Sequence, residues 1–315
     1  MEHPSTEIAI EIAQLGLVGL ASPLLVGLIR RMKARFQGRR GPSVLQPYRD
    51  LRKLFSKEVV VSENSSWIFR FTPYLLATTM LVSALIVPVL AATGAFSFLG
   101  NIIVLMYLFL LGTFFLALAG LDAGSAFGGM GSSREVAIAA LAEPTVLIAI
   151  FGIALRAGTT SLDGMIVRFG AEPLLMLNAG HLLAFIAFFV VALAENGRLP
   201  VDNPATHLEL TMIHEAMILE YSGRLLALVE WAAAMKLFLF LTLISNLFFP
   251  WGVALSATPV ALLTAFLALA LKLGIFAAAI ALLETAVAKL RLFRVPELLT
   301  GSFTVALLAV ATSFF

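Results

Sequence analysis

Eight runs of mostly apolar residues, near 8–29, 71–92, 101–121, 134–155, 178–194, 229–249, 257–284 and 300–315, limit what this chain can become. Coiled as a helix, about 20 such residues match the roughly 30 Å hydrocarbon core of a bilayer. The fifth and eighth runs are short for a full crossing. Backbone groups in lipid must be satisfied within a helix or a closed barrel. Barrel strands are only about 10 residues long and alternate in polarity, and these runs do neither. The expected fold class is all-α: a polytopic membrane bundle of about eight transmembrane helices. Composition agrees, because 60% hydrophobic and 13% charged side chains leave too little polar surface for a water-exposed globule. No repeat, Ser/Gly linker or water-soluble insert divides residues 1–315, which read as a single integral-membrane domain. Met1 to Glu7 is acidic and the first run is long enough to span, so no cleavable signal is expected.

Basic residues orient the bundle. Eleven lie between Arg30 and Arg70, and Arg134, Arg198, Arg224, Lys289, Arg291 and Arg294 fall on the same side of an eight-helix path. Arg156 and Arg168 fall on the other side, while Lys236 and Lys272 lie inside runs. The positive-inside rule then places the odd-numbered connections in the cytoplasm and both termini on the outer side. The sequence contains no cysteine. That excludes disulfides, thiolate zinc sites and cysteine-ligated iron–sulfur clusters in this chain. Any electron carriers of a redox machine would sit on other chains, and no cofactor or metal is expected here.

Two cytoplasmic connections, 30–70 and 195–228, are long and charged, and such loops carry function. In the first, Leu45, Leu51, Leu54 and Phe55 alternate with Arg49, Arg52, Lys53 and Lys57, a pattern suited to a membrane surface. On charge alone, positive-inside anchoring is the favoured account; Gly41-Pro42 and Gln46-Pro47 stiffen the loop, as for presentation to a partner. Along the second, between Glu195 and Glu230, stand Glu195, Asp202, Glu209, Glu215, Glu220 and Glu230 against two arginines. Asn203-Pro204 as a start and Gly223 as a stop predict a helix over Thr206–Tyr221. Glu215 there shares the apolar stripe of Leu208, Met212 and Leu219, a setting that raises a carboxyl pKa and suits proton exchange. A wetted interfacial helix is the alternative.

Ionisable groups inside the runs are Glu135, Glu143, Lys236, Lys272 and Glu284, and charges at that depth default to functional roles. Glu143 precedes Pro144, which frees a carbonyl and loosens the helix. Glu135 and Glu143 stand about 12 Å apart along a helix, a gap that water or a third carboxylate bridges. Pairing with lysine or arginine as bundle glue is the alternative. Several motifs fall short. His214-Glu215 opens like a zincin helix, but Ile218 stands where the second histidine belongs. His207 and His214 lack a third ligand. The run GSAFGGMGSS at 124–133 is neither a P-loop nor a dinucleotide fingerprint, and predicts a tight, mobile turn.

Four segments, in order, carry a resemblance over nearly the whole chain: GRRGPSVLQPYRDLRKLFSKE at 38–58, SSREVAIAALAEP at 132–144, AENGRLPVDNPATHLELTMIHEAMILEYS at 194–222 and KLRLFRVPELL at 289–299. They resemble the membrane subunit shared by respiratory NADH dehydrogenase (the subunit-1 family) and the group 4 energy-converting nickel–iron hydrogenases. The short passage from Gly41-Pro42-Ser43 to Leu45-Gln46-Pro47, and the long DNPATHLELTMIHEAMILEYSG stretch, are similar to the formate hydrogenlyase and hydrogenase-4 type. The resemblance implies a non-redox anchor and coupling subunit of a prokaryotic inner (plasma) membrane, with no catalytic centre of its own. It implies as partners the hydrogenase large and small subunits, an iron–sulfur protein and an antiporter-like membrane subunit. The nickel–iron centre and iron–sulfur clusters would lie on those partners, with lipid around this chain and no nucleic acid. Glu195, Asp202, Glu209, Glu215 and Glu220 would then form the cytoplasmic part of a proton path, and Glu135 and Glu143 its intramembrane leg. Arg39, Arg40, Gln46, Arg291 and Arg294 would dock the cytoplasmic arm. Two alternatives stay open: a quinone-site subunit of an NADH dehydrogenase-like complex, which the short loop counts against, and a stand-alone secondary transporter, which predicts repeats or paired broken helices.

Overall fold

The computed structural model describes residues 4–92, 100–203 and 212–314. Eleven α-helices order these residues: α1 Pro4–Phe36, α2 Gln46–Phe55, α3 Trp67–Ile86, α4 Ile102–Asp122, α5 Ala126–Ala157, α6 Leu162–Ala171, α7 Ala179–Glu195, α8 His214–Ile218, α9 Gly223–Phe248, α10 Pro259–Ala286 and α11 Val295–Ala311. Seven (α1, α3, α4, α5, α9, α10 and, extended from Leu292, α11) are long and apolar enough to cross a bilayer. The apolar α7, with 17 residues, completes the eight expected spans.

Small polar residues set the starts. Ser66, Asn101, Ser125, Ser161, Asn178 and Thr258 each accept an N–H from the first turn of α3, α4, α5, α6, α7 and α10, satisfying donors that lipid could not. Packing is helix on helix: α5 lies against α4, α7 and α11, while α9 lies against α1, α3 and α7. From Leu237 to Phe248 every residue of α9 is buried, so α9 forms the core of one half of the bundle.

The two ends of the bundle differ. At the basic end, Asp122 Oδ2 accepts the N–H groups of Ser66 at 2.7 Å and Phe69 at 3.3 Å. Ser222 Oγ accepts the Val60 N–H at 2.8 Å. At the opposite end, cations close the last carbonyls of two helices. Arg156 donates to the Thr312 carbonyl at 3.1 Å, just past α11. Lys272 Nζ donates to Asn246 Oδ1 at 3.0 Å and to the Phe249 carbonyl at 2.7 Å, just past α9, with its ammonium 4.9 Å from the Trp251 ring centroid.

Two local expectations are corrected. Of the 124–133 run, only Gly124 and Ser125 lie outside a helix, since α5 begins at Ala126. Its glycines serve close approach instead: a Cβ on Gly131 would lie 2.9 Å from the Ala216 Cβ and 2.9 Å from the Ile213 carbonyl. The helix expected over Thr206–Tyr221 lies partly outside the described residues. Within them, α8 runs only from His214 to Ile218, and Gly223 opens α9 rather than ending a helix. Gly223 has φ +52° and sits against the Glu58 carbonyl, where any side chain would collide.

Candidate functional site

The last residue of α7, Glu195, is buried and points at Lys236 in the middle of α9, with Nζ to Oε2 at 2.8 Å. Lys236 also reaches Thr113 Oγ1 on α4 at 3.4 Å. Glu135 on α5 completes the group, within electrostatic reach of Lys236, Glu195, Asp202 and Glu143. Glu143 lies two turns deeper on α5, and its buried Oε1 has no hydrogen-bond partner among the described residues. A single lysine therefore serves three glutamates at membrane depth, where an unpaired charge costs several kcal/mol.

A cavity of about 620 Å³ joins this group to the basic end. Its deep wall includes Thr113, Glu135, Glu195 and Lys236; its mouth includes Arg30, Gln37, Pro42, Pro47 and Asp50. Ile29, Leu51, Leu54, Leu76, Met80 and Phe109 give it apolar lining as well. Pro23, also on the wall, is 13 residues from the end of α1, so the cavity reaches about 20 Å into the bundle.

Asp202, Glu215, Glu230 and Glu284 line the same space. Asp202 is buried and saturated: Oδ1 accepts Lys289 Nζ at 2.9 Å and the Asn203 N–H at 2.8 Å, while Oδ2 accepts the Ile213 and His214 N–H groups at 3.3 Å each. Arg134 donates to the Met212 carbonyl at 3.0 Å, fixing the same stretch from α5. Burial, then the charges of Glu230 and Asp202, push the Glu215 carboxyl up to about 7, against the pull of Arg30. Burial and then Lys236 push the neighbouring His214 imidazole down to about 4, against Asp202. Glu215 thus sits where a carboxyl exchanges a proton near neutrality, and His214 stays neutral there.

Of the expected path, Glu135, Glu195, Asp202 and Glu215 come together on one cavity. Glu143 is off its wall, Glu220 is exposed, and Glu209 lies outside the described residues. Arg39, Arg40, Arg291 and Arg294 are exposed at the basic end, and Gln46 donates to Asp50 at 2.8 Å beside the cavity mouth. Sequence reasoning left Lys236 and Glu284 unassigned and passed over Lys33 and Arg198. Glu284 holds both of these cations, Lys33 at 2.8 Å and Arg198 at 3.3 Å. The available signal was the presence of Lys236 and Glu284 in apolar runs. Among the described residues no group of three or more histidines and carboxylates could hold a metal ion.

Comparison with known proteins places the chain as a whole. The chain is 36% identical to formate hydrogenlyase subunit 4 of Escherichia coli over 288 residues, covering 91% of this chain and 92% of that one. It is 33% identical to hydrogenase-4 component C of the same organism, covering 95% and 93%. It is 28% identical to a subunit of the NADH-quinone oxidoreductase of Pelagibacter ubique, covering 65% of this chain and 62% of that one. Its fold superposes on a chain of the membrane-bound sulfane sulfur reductase, an archaeal respiratory membrane complex, with TM-score 0.81 and 19% identity over 96% of this chain and 98% of that one. The family model described as NADH dehydrogenase matches residues 9–314. Matched by that model along nearly its full length, the chain belongs to the NADH dehydrogenase subunit-1 family of complex membrane subunits.

Proposed function

We infer that this chain is the non-redox anchor and coupling subunit of a membrane-bound nickel–iron hydrogenase complex in a prokaryotic plasma membrane. A cytoplasmic arm, with the hydrogenase large and small subunits and an iron–sulfur protein, seats on the basic end at Arg39, Arg40, Gln46, Arg291 and Arg294. Both termini face outward. The observation that carries this reading is the cavity running from that end to the Glu195–Lys236 pair. A charge change at the arm alters the field along the cavity. Glu215, poised near 7, and the glutamates around Lys236 answer by taking up or releasing protons. Each pKa unit shifted corresponds to about 1.4 kcal/mol, so a few groups acting together transmit a useful part of a proton's transmembrane energy. Glu135 and Glu143 lead onward to an antiporter-like subunit in the membrane. Zero cysteines accord with electron carriers held by other chains.

Glu195→Gln and Lys236→Met are the direct tests. In vesicles carrying the assembled complex, each variant is expected to turn over hydrogen while moving few or no protons. Wild-type protons per hydrogen in both would overturn the reading. One observation favours a second reading: a cavity of about 620 Å³ with partly apolar lining has the dimensions of a small-molecule site. Quinone reduction by the purified complex, blocked by Leu51→Trp or Met80→Trp, would establish a quinone site instead.

A further inference from the structure

The first residues of the acid-rich connection, 196–203, are laced to the end of α10 and the residues just past it at three points. Arg198 donates to Glu284 Oε1 at 3.3 Å, the Leu290 N–H donates to the Pro200 carbonyl at 2.9 Å, and Lys289 donates to Asp202 Oδ1 at 2.9 Å. The charges are reciprocal: positive then negative at 198 and 202, negative then positive at 284 and 289. A slip that brought Arg198 to Lys289, or Asp202 to Glu284, would oppose like charges, so the pairing rejects its own misregistration. Glu284, only 5% exposed, is also held by Lys33, which fixes the lacing to α1.

Both ends of this lacing lead somewhere. At one end, the Gly197 N–H bonds to the Ala194 carbonyl at 3.0 Å and the Arg198 N–H to the Leu193 carbonyl at 2.8 Å. Those carbonyls belong to the last turn of α7, which carries Glu195. At the other end, the chain passes from Leu290 into the turn Arg291–Arg294. Both arginines are exposed there and Phe293 is 89% exposed.

We propose that residues 196–203 form a strap tying the exposed Arg291–Phe293–Arg294 turn to the Glu195–Lys236 pair, with Arg198, Asp202, Glu284 and Lys289 as its positioning residues. The partner that fits the turn is a protein surface carrying carboxylates for the two guanidiniums and an apolar recess for Phe293. Because the contacts lie in series, a shift of the turn moves the strap as a unit and reorients Glu195 against Lys236. The strap rests on the coupling role inferred above, and assigns Asp202 to holding geometry rather than to carrying protons.

The test uses the whole complex in inverted vesicles, with hydrogen turnover and proton movement read together. Lys289→Met and Arg198→Met are expected to lose about half or more of the protons moved per hydrogen, the scale of coupling changes away from the ligands. Lys289→Arg and Arg198→Lys, which restore the ion pairs, are expected to recover the ratio. Phe293→Ala removes no packing inside the bundle and is expected to lower the ratio too, which keeps the test decisive if the buried variants fail to assemble. A merely stabilising strap predicts fewer complexes at the wild-type ratio, and that result would overturn the proposal, as would a wild-type ratio in Phe293→Ala. Glu195→Gln separates the two levels. If it uncouples while the strap variants do not, the strap alone falls; if it and Lys236→Met too stay coupled, the parent reading falls with it.

Discussion

Lys236 faces Glu195 directly and Glu135 and Glu143 at longer range, so removing the ammonium strands more charge than removing one carboxylate. Breaking a buried pair from one side costs about 3–5 kcal/mol, whereas replacing both partners is far milder. Lys236→Met is therefore expected to unfold at lower temperature in detergent than the double variant Glu195→Gln/Lys236→Met; the reverse order would show that the pair is not energetically coupled. The neighbours His214 and Glu215 make a pH prediction. Glu215, raised to about 7 from an ordinary 4.5, contributes stability that is complete below 4.5 and is lost as pH rises through 7. His214, lowered to about 4 from 6.5, contributes stability that is complete above 6.5 and is lost as pH falls through 4. In the native chain the two slopes oppose. Glu215→Gln should become more stable as pH rises from 4 to 6.5, and His214→Gln less stable between 4.5 and 7. Thermal midpoints across that range check the signs, and equal slopes in the two variants would refute the assignment.

At the scale of elements, α8 is seated by what α5 lacks. Gly131 lets the α5 backbone meet Ala216 and Ile213 closely, and the Arg134 bond to Met212 fixes the approach. Gly131→Leu should lift α8 from this seat, cost about 1–3 kcal/mol through overpacking, and expose His214 and Glu215 to water. The Glu215 carboxyl would then titrate closer to its ordinary range, which carboxylate infrared bands can follow. The elements themselves were largely legible in the chain, because lipid allows only one period of helix and only certain lengths. The 124–133 run was misread because glycine marks both turns and tight helix contacts, and only the neighbour across the gap distinguishes them. The site was legible in part for a similar reason. Glu135, Glu195 and Glu215 betray themselves by standing in apolar surroundings. Their partners are set by tertiary contact: Glu195 and Lys236 are 41 residues apart, and Arg198 and Glu284 are 86 apart. No local pattern reports such a pairing.

For the whole molecule, the prediction is sidedness. Residues of α1, α2, α3, α9 and α10 line one cavity that reaches Arg30, Gln37 and Asp50, while Arg156 and Lys272 stand at the other end. The native chain has no cysteine, so single introduced thiols give a clean readout. Arg40→Cys should react with a membrane-impermeant maleimide only from the cytoplasm, and Leu177→Cys only from outside; both labelling from one face would invert or break the eight-span path. The caps made by Arg156 and Lys272 carry one more consequence. By occupying carbonyls just past the ends of α11 and α9, they tie the chain to fixed side chains at the end of the bundle away from Arg30, Gln37 and Asp50 of the cavity wall. Reconstituted by itself in a bilayer, the chain is accordingly expected to hold a voltage, and a measured conductance would show that this end is open.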